Sequence, residues 1–329
     1  MRRRDCISLL GALTLLRGTT AESRTRPTGR QVGIITAYAP NDTEIQPRLD
    51  AFTQTLLNLG DRGPGNTNLT IKSASGNMDL MKVYARELVE QRPDVILSAT
   101  TPATAAVLAE TRDIPVVFVS VSDPVGSGFV KSFSRPDKNA TGFVNTDPAL
   151  CAKWVEILKE IVPHLSYAAI MYNPRTAPYS QAYIASFNQA AREFDIEPGA
   201  LPVANEQDVV AAYLAVGRRG GGIVLMNDSF NTNNRLLINA LTREHKVPTI
   251  SYNRQITAKG GLISYGVDEV NVYTKAAHYI HRILHGETID QLPVQAPELI
   301  HLTINIQTAK LLGITLPKTI LVQAHEIFE

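Results

Sequence analysis

Cysteine is nearly absent from this chain: among 329 residues only Cys6 and Cys151 carry a thiol. Cys6 lies in an apolar N-terminal stretch that reads as a leader. A mature chain would then keep one thiol, which excludes an internal disulfide and a cysteine-based zinc site. Excess charge is also lacking. The 32 Lys and Arg against 31 Asp and Glu leave a net charge of +1. No block of like charge follows the first residues, so nucleic acid is not expected as a partner. After the leader, no apolar run is long enough to cross a bilayer. Enzyme signatures are missing too. There is no G-x-G-x-x-G, no Walker-type G-K-[ST] and no G-x-S-x-G. Gly220-Gly221-Gly222 precedes a strand, whereas a phosphate-cradling loop follows one, so it reads as a turn. Ser229 could be presented as a nucleophile, but no histidine falls at another strand tip to activate it. No cofactor and no catalytic residue is expected.

What is present is one pattern written twice. Val95-Ile96-Leu97-Ser98-Ala99-Thr100-Thr101 leads through an Ala-rich stretch to Pro115-Val116-Val117-Phe118-Val119-Ser120. Further on, Ile223-Val224-Leu225-Met226-Asn227-Asp228-Ser229 leads to Val247-Pro248-Thr249-Ile250-Ser251. Each reads as buried strand, polar tip, helix, Pro, buried strand, polar tip. The spacing predicts strands at 32–37, 69–74, 95–97, 116–119 and 141–144, with helices at 45–59 and 79–91. A second series follows, with strands at 168–172, 201–203, 223–226, 247–250 and 262–265. A long helix at 270–284 returns to the first lobe, and a strand at 302–306 and a helix at 308–312 complete the second. The alternation predicts an α/β protein of two doubly wound lobes with parallel sheets.

The chain divides accordingly. Residues 31–146 plus 267–296 form an N-terminal lobe, and 147–266 plus 297–329 a C-terminal lobe. A three-segment hinge joins them, with Asn145 and Gly266 chosen as pivots because Asn and Gly tolerate unusual dihedrals.

Ligands of open α/β sheets bind outside the carboxyl ends of the strands. Those tips offer Tyr38, Ser75-Gly76, Thr100, Thr101, Ser120 and Asp123 from the first lobe. The second offers Asn173, Thr176, Asn205, Asn227, Asp228, Tyr252 and Asn253, and a crossing offers Asp268. Hydroxyls, amides and a few carboxylates suit a small polar ligand, and tyrosine faces suit an apolar part. Such residues also cap helices. Thr101, before Pro102, reads as both cap and wall. His278, His281 and His285 fall near one face of a helix. A zinc site needs a further ligand and a buried second shell, whereas histidines near a helix C-terminus simply favour the dipole. No metal is expected.

Residues 1–30 read as a signal peptide: Arg2-Arg3-Arg4, a short apolar run over residues 6–16, then small polar residues. The arginines give it a twin-arginine-like character and point to the periplasm.

Ser122-Asp123-Pro124-Val125-Gly126-Ser127-Gly128 followed by Asn139-Ala140-Thr141-Gly142 resembles the D-P-V-x-x-G-x-V…N-x-T-G stretch of one family. Tyr172-Asn173-Pro174, Tyr265-Gly266-Val267-Asp268, Leu292-Pro293-Val294 and the ending at residues 304–314 match as well. The family is the ABC-transporter substrate-binding proteins of the tryptophan/tyrosine-binding type, within the type I periplasmic binding protein fold. The resemblance implies a receptor that closes on a small-molecule solute and delivers it to an ABC permease in the inner membrane, acting as a monomer. By position, its ligand contacts fall on Thr100, Thr101, Ser120, Asp123, Asn173, Asn227, Asp228 and Asn253. Members that bind α-amino acids tend to carry an acid near Asn253. Its absence here leaves room for an anionic or neutral aromatic solute. Two rival readings remain open: a ligand sensor feeding a signalling partner, and a small-molecule enzyme using Asp228 or Ser229.

Overall fold

Strands buried on both faces set the frame. The computed structural model describes residues 29–61 and 67–329. The expected signal peptide at 1–30, Cys6 included, falls outside the described residues except for its last two positions.

The first series runs β1 (Arg30–Thr36), α1 (Ile45–Asn58), β2 (Thr67–Ser73), α2 (Met78–Glu90), β3 (Val95–Ala99), α3 (Thr101–Glu110), β4 (Val116–Val121) and β5 (Ala140–Val144). β3, β4 and β5 are buried along their whole length, as parallel strands covered by helices must be. They lie in a five-stranded parallel sheet of order β2-β1-β3-β4-β5. Leu97 pairs with Ile34 on one side and Val117 on the other.

The second series runs α4 (Leu150–Ile161), β6 (Tyr167–Tyr172), α5 (Ser180–Glu193), β7 (Glu197–Pro202), α6 (Glu206–Arg218), β8 (Gly222–Leu225), α7 (Ser229–Asn233), α8 (Arg235–Glu244), β9 (Thr249–Ser251), α9 (Arg254–Ala258) and β10 (Ile263–Val267). It ends with α10 (Glu269–Leu284), β11 (Ile300–Asn305), α11 (Ile306–Leu312), α12 (Lys318–Gln323) and β12 (Glu326–Phe328). Its sheet has seven strands in the order β12-β11-β10-β9-β8-β6-β7. The protein is thus a two-lobed α/β fold.

One feature departs from the expected all-parallel sheets. β11 runs antiparallel to β10, with Ile263 opposite Ile304. Between the two strands the chain leaves for the other lobe as α10 and returns from the opposite direction. The helices α7, α9 and α12 also go unforeseen. They hold five, five and six residues, too few turns to leave a periodic signal.

α10 explains the departure. Its Tyr273, Ala276, Ala277 and Ile280 pack with Phe52 and Leu56 of α1 against Val32, Ile34 and Leu97. The long helix therefore belongs to the core of the five-stranded sheet although the strand before it lies in the other. Asp268 caps it, accepting from the amides of Val270 and Asn271. In the second lobe Trp154 of α4 is fully buried, and its Nε1 donates to the Tyr265 carbonyl at 2.7 Å.

The chain passes between the sheets three times: after β5, from β10 into α10, and before β11. At the third passage Gln295 forms an isolated parallel bridge with Phe143. Neither proposed pivot uses an unusual dihedral, since neither Asn145 nor Gly266 has positive φ. Gly266 is needed for a different reason. A Cβ there would fall 1.6 Å from the Tyr252 carbonyl oxygen, so only glycine lets the two backbones approach. Asn145 works through its side chain, whose Oδ1 accepts from Ser122 Oγ at 2.9 Å and from the Thr146 amide at 2.7 Å.

Candidate functional site

The carboxyl ends of the two sheets face each other and touch. Asn227 of the second lobe donates to Thr146 Oγ1 at 2.9 Å. Asn233 reaches the Ala37 carbonyl at 3.4 Å, Arg235 reaches Asp42, and Asn253 donates to Glu44. Tyr38, Thr100, Thr101, Ser120, Thr176 and Asn227 line one enclosed space between the lobes, with Asn145, Tyr179, Ser229, Tyr252 and Glu269. That space measures only ≈ 10 Å³, about one water molecule. Beside it Glu44, Arg48, Asn253, Asp268 and Glu269 line an open cavity of ≈ 610 Å³, so a solute reaches the enclosed space only if the lobes part.

The backbone is strained at this seam. Thr100 adopts φ +90° and Ser120 φ +54°. Positive φ is costly for a β-branched residue and clusters at binding sites. Thr100 is the N-cap position of α3 yet makes no side-chain cap bond, and the first turn holds no acidic residue. The positive end of α3 is therefore open to the cleft. Thr101 is the first helical residue and does not cap; its Oγ1 accepts from the Ser122 amide at 3.0 Å.

Beside this seam lies a charged cluster. Glu44, the residue just before α1, and Arg48 of α1 form an ion pair, both almost wholly buried. Arg48 Nη1 also lies 3.1 Å from the Tyr38 hydroxyl and 3.8 Å from Glu269 Oε2. Ser120 Oγ donates to Glu269 Oε2 at 2.5 Å. Burial raises Glu44, opposed by Arg48 and the Asn253 amide. Burial pulls Arg48 down, but the oxygens of Tyr38, Glu44 and Glu269 more than reverse it and hold it above its usual range. Burial also pushes the Tyr38, Tyr179 and Tyr252 phenols up, so they stay neutral donors. Two buried oxygens, Glu44 Oε2 and Thr100 Oγ1, have no partner among the described residues.

Several sequence candidates do not line the enclosed space. Asp228 is 1% exposed and accepts from the Asn173 amide at 2.6 Å, the Phe230 amide at 2.9 Å and the Thr176 hydroxyl. It braces the second-lobe tips. Burial pushes its carboxyl up to about 6 despite these bonds. Asn173 turns its Oδ1 to the amides of Arg175 and Thr176. Asn253 reaches Glu44 and caps α9 through the Gln255 amide. Asp268 caps α10, and Asn205 caps α6. Asp123 stands apart: it is exposed and accepts from the Gly126 amide at 2.8 Å.

Glu44, Arg48 and Glu269 were missed because they lie at the starts of or on helices, not at strand tips. A signal existed. Arg48 sits among Ile45, Leu49 and Phe52 on the buried stripe of α1, a position where charge needs a partner.

Comparison with known proteins follows the same lines. Residues 46–328 match the family described as ABC transporter substrate binding protein. The chain is 22% identical to the tyrosine-binding protein of Clostridioides difficile (strain R20291), over 93% of this chain and 88% of that one. A crystal structure of a conserved domain protein from Vibrio cholerae superposes with TM-score 0.81 at 28% identity, covering 91% of this chain and 99% of that one. The Streptococcus pneumoniae ABC domain in complex with L-Trp superposes with TM-score 0.84 at 19% identity, covering 91% and 100%. No helix among the described residues is long and apolar enough to cross a membrane.

Proposed function

The chain belongs to the ABC transporter substrate-binding protein family, and from that premise we propose that its solute is a small aromatic α-amino acid. Members of this family bind a small molecule and present it to an ABC permease. The observation that carries the finer reading is the charge at the cleft: two carboxylates, Glu44 and Glu269, flank one guanidinium, Arg48. A net negative wall complements an ammonium group. The carboxylate that the sequence lacks at Asn253 arrives in space, since Asn253 itself holds Glu44. The open N-terminus of α3 and the unpartnered Thr100 hydroxyl suit the solute carboxylate. Tyr38, Tyr179 and Tyr252 supply aromatic faces. The names of the two relatives bound to or named for aromatic amino acids support the same choice.

Capture follows by hinge closure. Solute binds to one lobe, and the second closes over it because contacts made only in the closed form favour that form. Closure excludes water and strengthens each polar contact. The protein acts as an exported, non-catalytic monomer at the outer side of the cytoplasmic membrane, delivered by its twin-arginine-like leader.

Thermal-shift and calorimetric titration with L-tyrosine, L-tryptophan, the matching amines and the matching α-keto acids test the reading. The amino acids are expected to bind tightest, near micromolar, about −8 kcal/mol. Equal or tighter binding of the α-keto acids would remove the ammonium from the account.

A further inference from the structure

We propose that Asp61, His281 and His285 form a zinc site at the end of the first lobe remote from the cleft. α10 begins at Glu269 beside the cleft and runs for sixteen residues, about 24 Å; its last turn presents His281, and His285 follows just past its end. Asp61 follows α1, which packs along α10. The fold thus supplies the third ligand that the histidine spacing alone lacks.

The three residues offer donors that all lie within 4.8 Å of one another. His281 Nδ1 is 2.5 Å from Asp61 Oδ2, and His285 Nε2 is 3.8 Å from Asp61 Oδ1. A tetrahedral zinc with bonds near 2.0–2.1 Å needs donors about 3.3 Å apart, which these separations bracket. The Asp61 side chain is 2% exposed, while His281 and His285 are 27% and 47% exposed, so a buried anion sits behind two reachable imidazoles.

The supporting contacts are those a metal ligand needs. His285 Nδ1 lies 2.8 Å from the His281 carbonyl oxygen. A carbonyl only accepts, so Nδ1 carries the proton and Nε2 turns its lone pair toward Asp61. The place between these donors is already taken by a cationic nitrogen. Arg30 Nη1 lies 3.0 Å from Asp61 Oδ1 and 3.2 Å from His285 Nε2. Arg30 is 38% exposed, at the first residue of β1, so its side chain can swing to solvent once zinc takes over the charge facing the buried Asp61. Zinc entering the site displaces that guanidinium and the proton shared by His281 and Asp61, and water completes its coordination. Two imidazoles and one carboxylate select zinc or a similar late transition ion over magnesium or calcium.

Competition titration of untagged, mature-length protein against a zinc-binding dye tests this. One equivalent of zinc is expected to bind, with a rise in melting temperature, while magnesium leaves both readouts unchanged. His285→Ala and Asp61→Asn are expected to weaken binding more than tenfold, and His278→Ala, at an exposed position on the same helix, to leave it unchanged. Arg30→Ala is the decisive variant. If Arg30 competes for the site, its removal tightens zinc binding. A mere structural salt cluster predicts a loss of melting temperature and no gain in zinc affinity. Wild-type protein that takes up no zinc, a His281→Ala/His285→Ala double variant that binds as wild type, or an Arg30→Ala variant that binds more weakly would each overturn the site. Solute affinity is a separate readout, so this test can fail without touching the cleft.

Discussion

Arg235 of α8 holds Asp42 of the other lobe through one nitrogen: Nη2 lies 3.0 Å from Oδ1 and 2.9 Å from Oδ2. Both side chains are about nine-tenths buried. The pair exists only when the lobes meet, so it favours the closed form. Arg235→Ala is expected to weaken solute binding by about tenfold, roughly 1.4 kcal/mol, mainly through faster release. Stopped-flow dissociation measures it. An unchanged off-rate would show that closure does not draw on this contact.

The cluster around Arg48 should set solute chemistry. Glu269→Gln keeps the shape but removes one anion, and Ser120 Oγ keeps an oxygen to donate to. Amino acid affinity should fall roughly ten- to hundredfold, in line with about 1–3 kcal/mol for a buried polar contact. Affinity for a matched α-keto acid should hold or rise. Parallel titration of both ligands checks the sign, and an equal loss for the two would assign Glu269 a purely structural part.

Asp228 gives a pH dependence with a definite sign. Its folded-state carboxyl is raised to about 6, so the folded protein holds that proton more tightly than the unfolded chain. Stability from this group is fully present below the ordinary Asp range near 4 and is lost as pH rises through about 6. The advantage of wild type over Asp228→Asn should therefore grow on acidification from pH 7 to pH 4, by on the order of 1–3 kcal/mol. Urea melts of both proteins across that window measure it. A difference that stays flat would place the Asp228 carboxyl back in the ordinary range.

Gly266→Ala should be far more damaging than an ordinary strand substitution. The new Cβ would meet the Tyr252 carbonyl oxygen at 1.6 Å, a contact that backbone must move to relieve. Tyr252 also lines the cleft. Loss of several kcal/mol of stability is expected together with weakened solute binding. Wild-type melting with wild-type affinity would show that the β9–β10 seam is loose.

Much of the fold was legible because strands covered on both faces leave continuous apolar runs. Val95–Ala99 and Val116–Val121 are examples, and each ends in the polar residues that line the cleft. The antiparallel β11 was not, since direction depends on where the chain has been in the interval. Thr100, Ser120 and Asn227 were read as strand tips from position alone, and the structure brings them to one seam. Position could not separate Asp228 and Asn173, which brace neighbouring backbone, from residues that line the enclosed space. Glu44 and Glu269 reach the cleft from helix starts far apart in sequence, and only their meeting at Arg48 reveals them.

Three separate passages of chain tie one lobe to the other. A single tether would let the halves wander, and two would permit shear. On the proposed closure, three tethers favour one rocking coordinate over free wandering. The motion can therefore be followed with a single pair of dyes, and every solute that is captured should drive that pair toward the same end-point distance. Solutes that differ in affinity should differ in how long the short distance persists, not in its value.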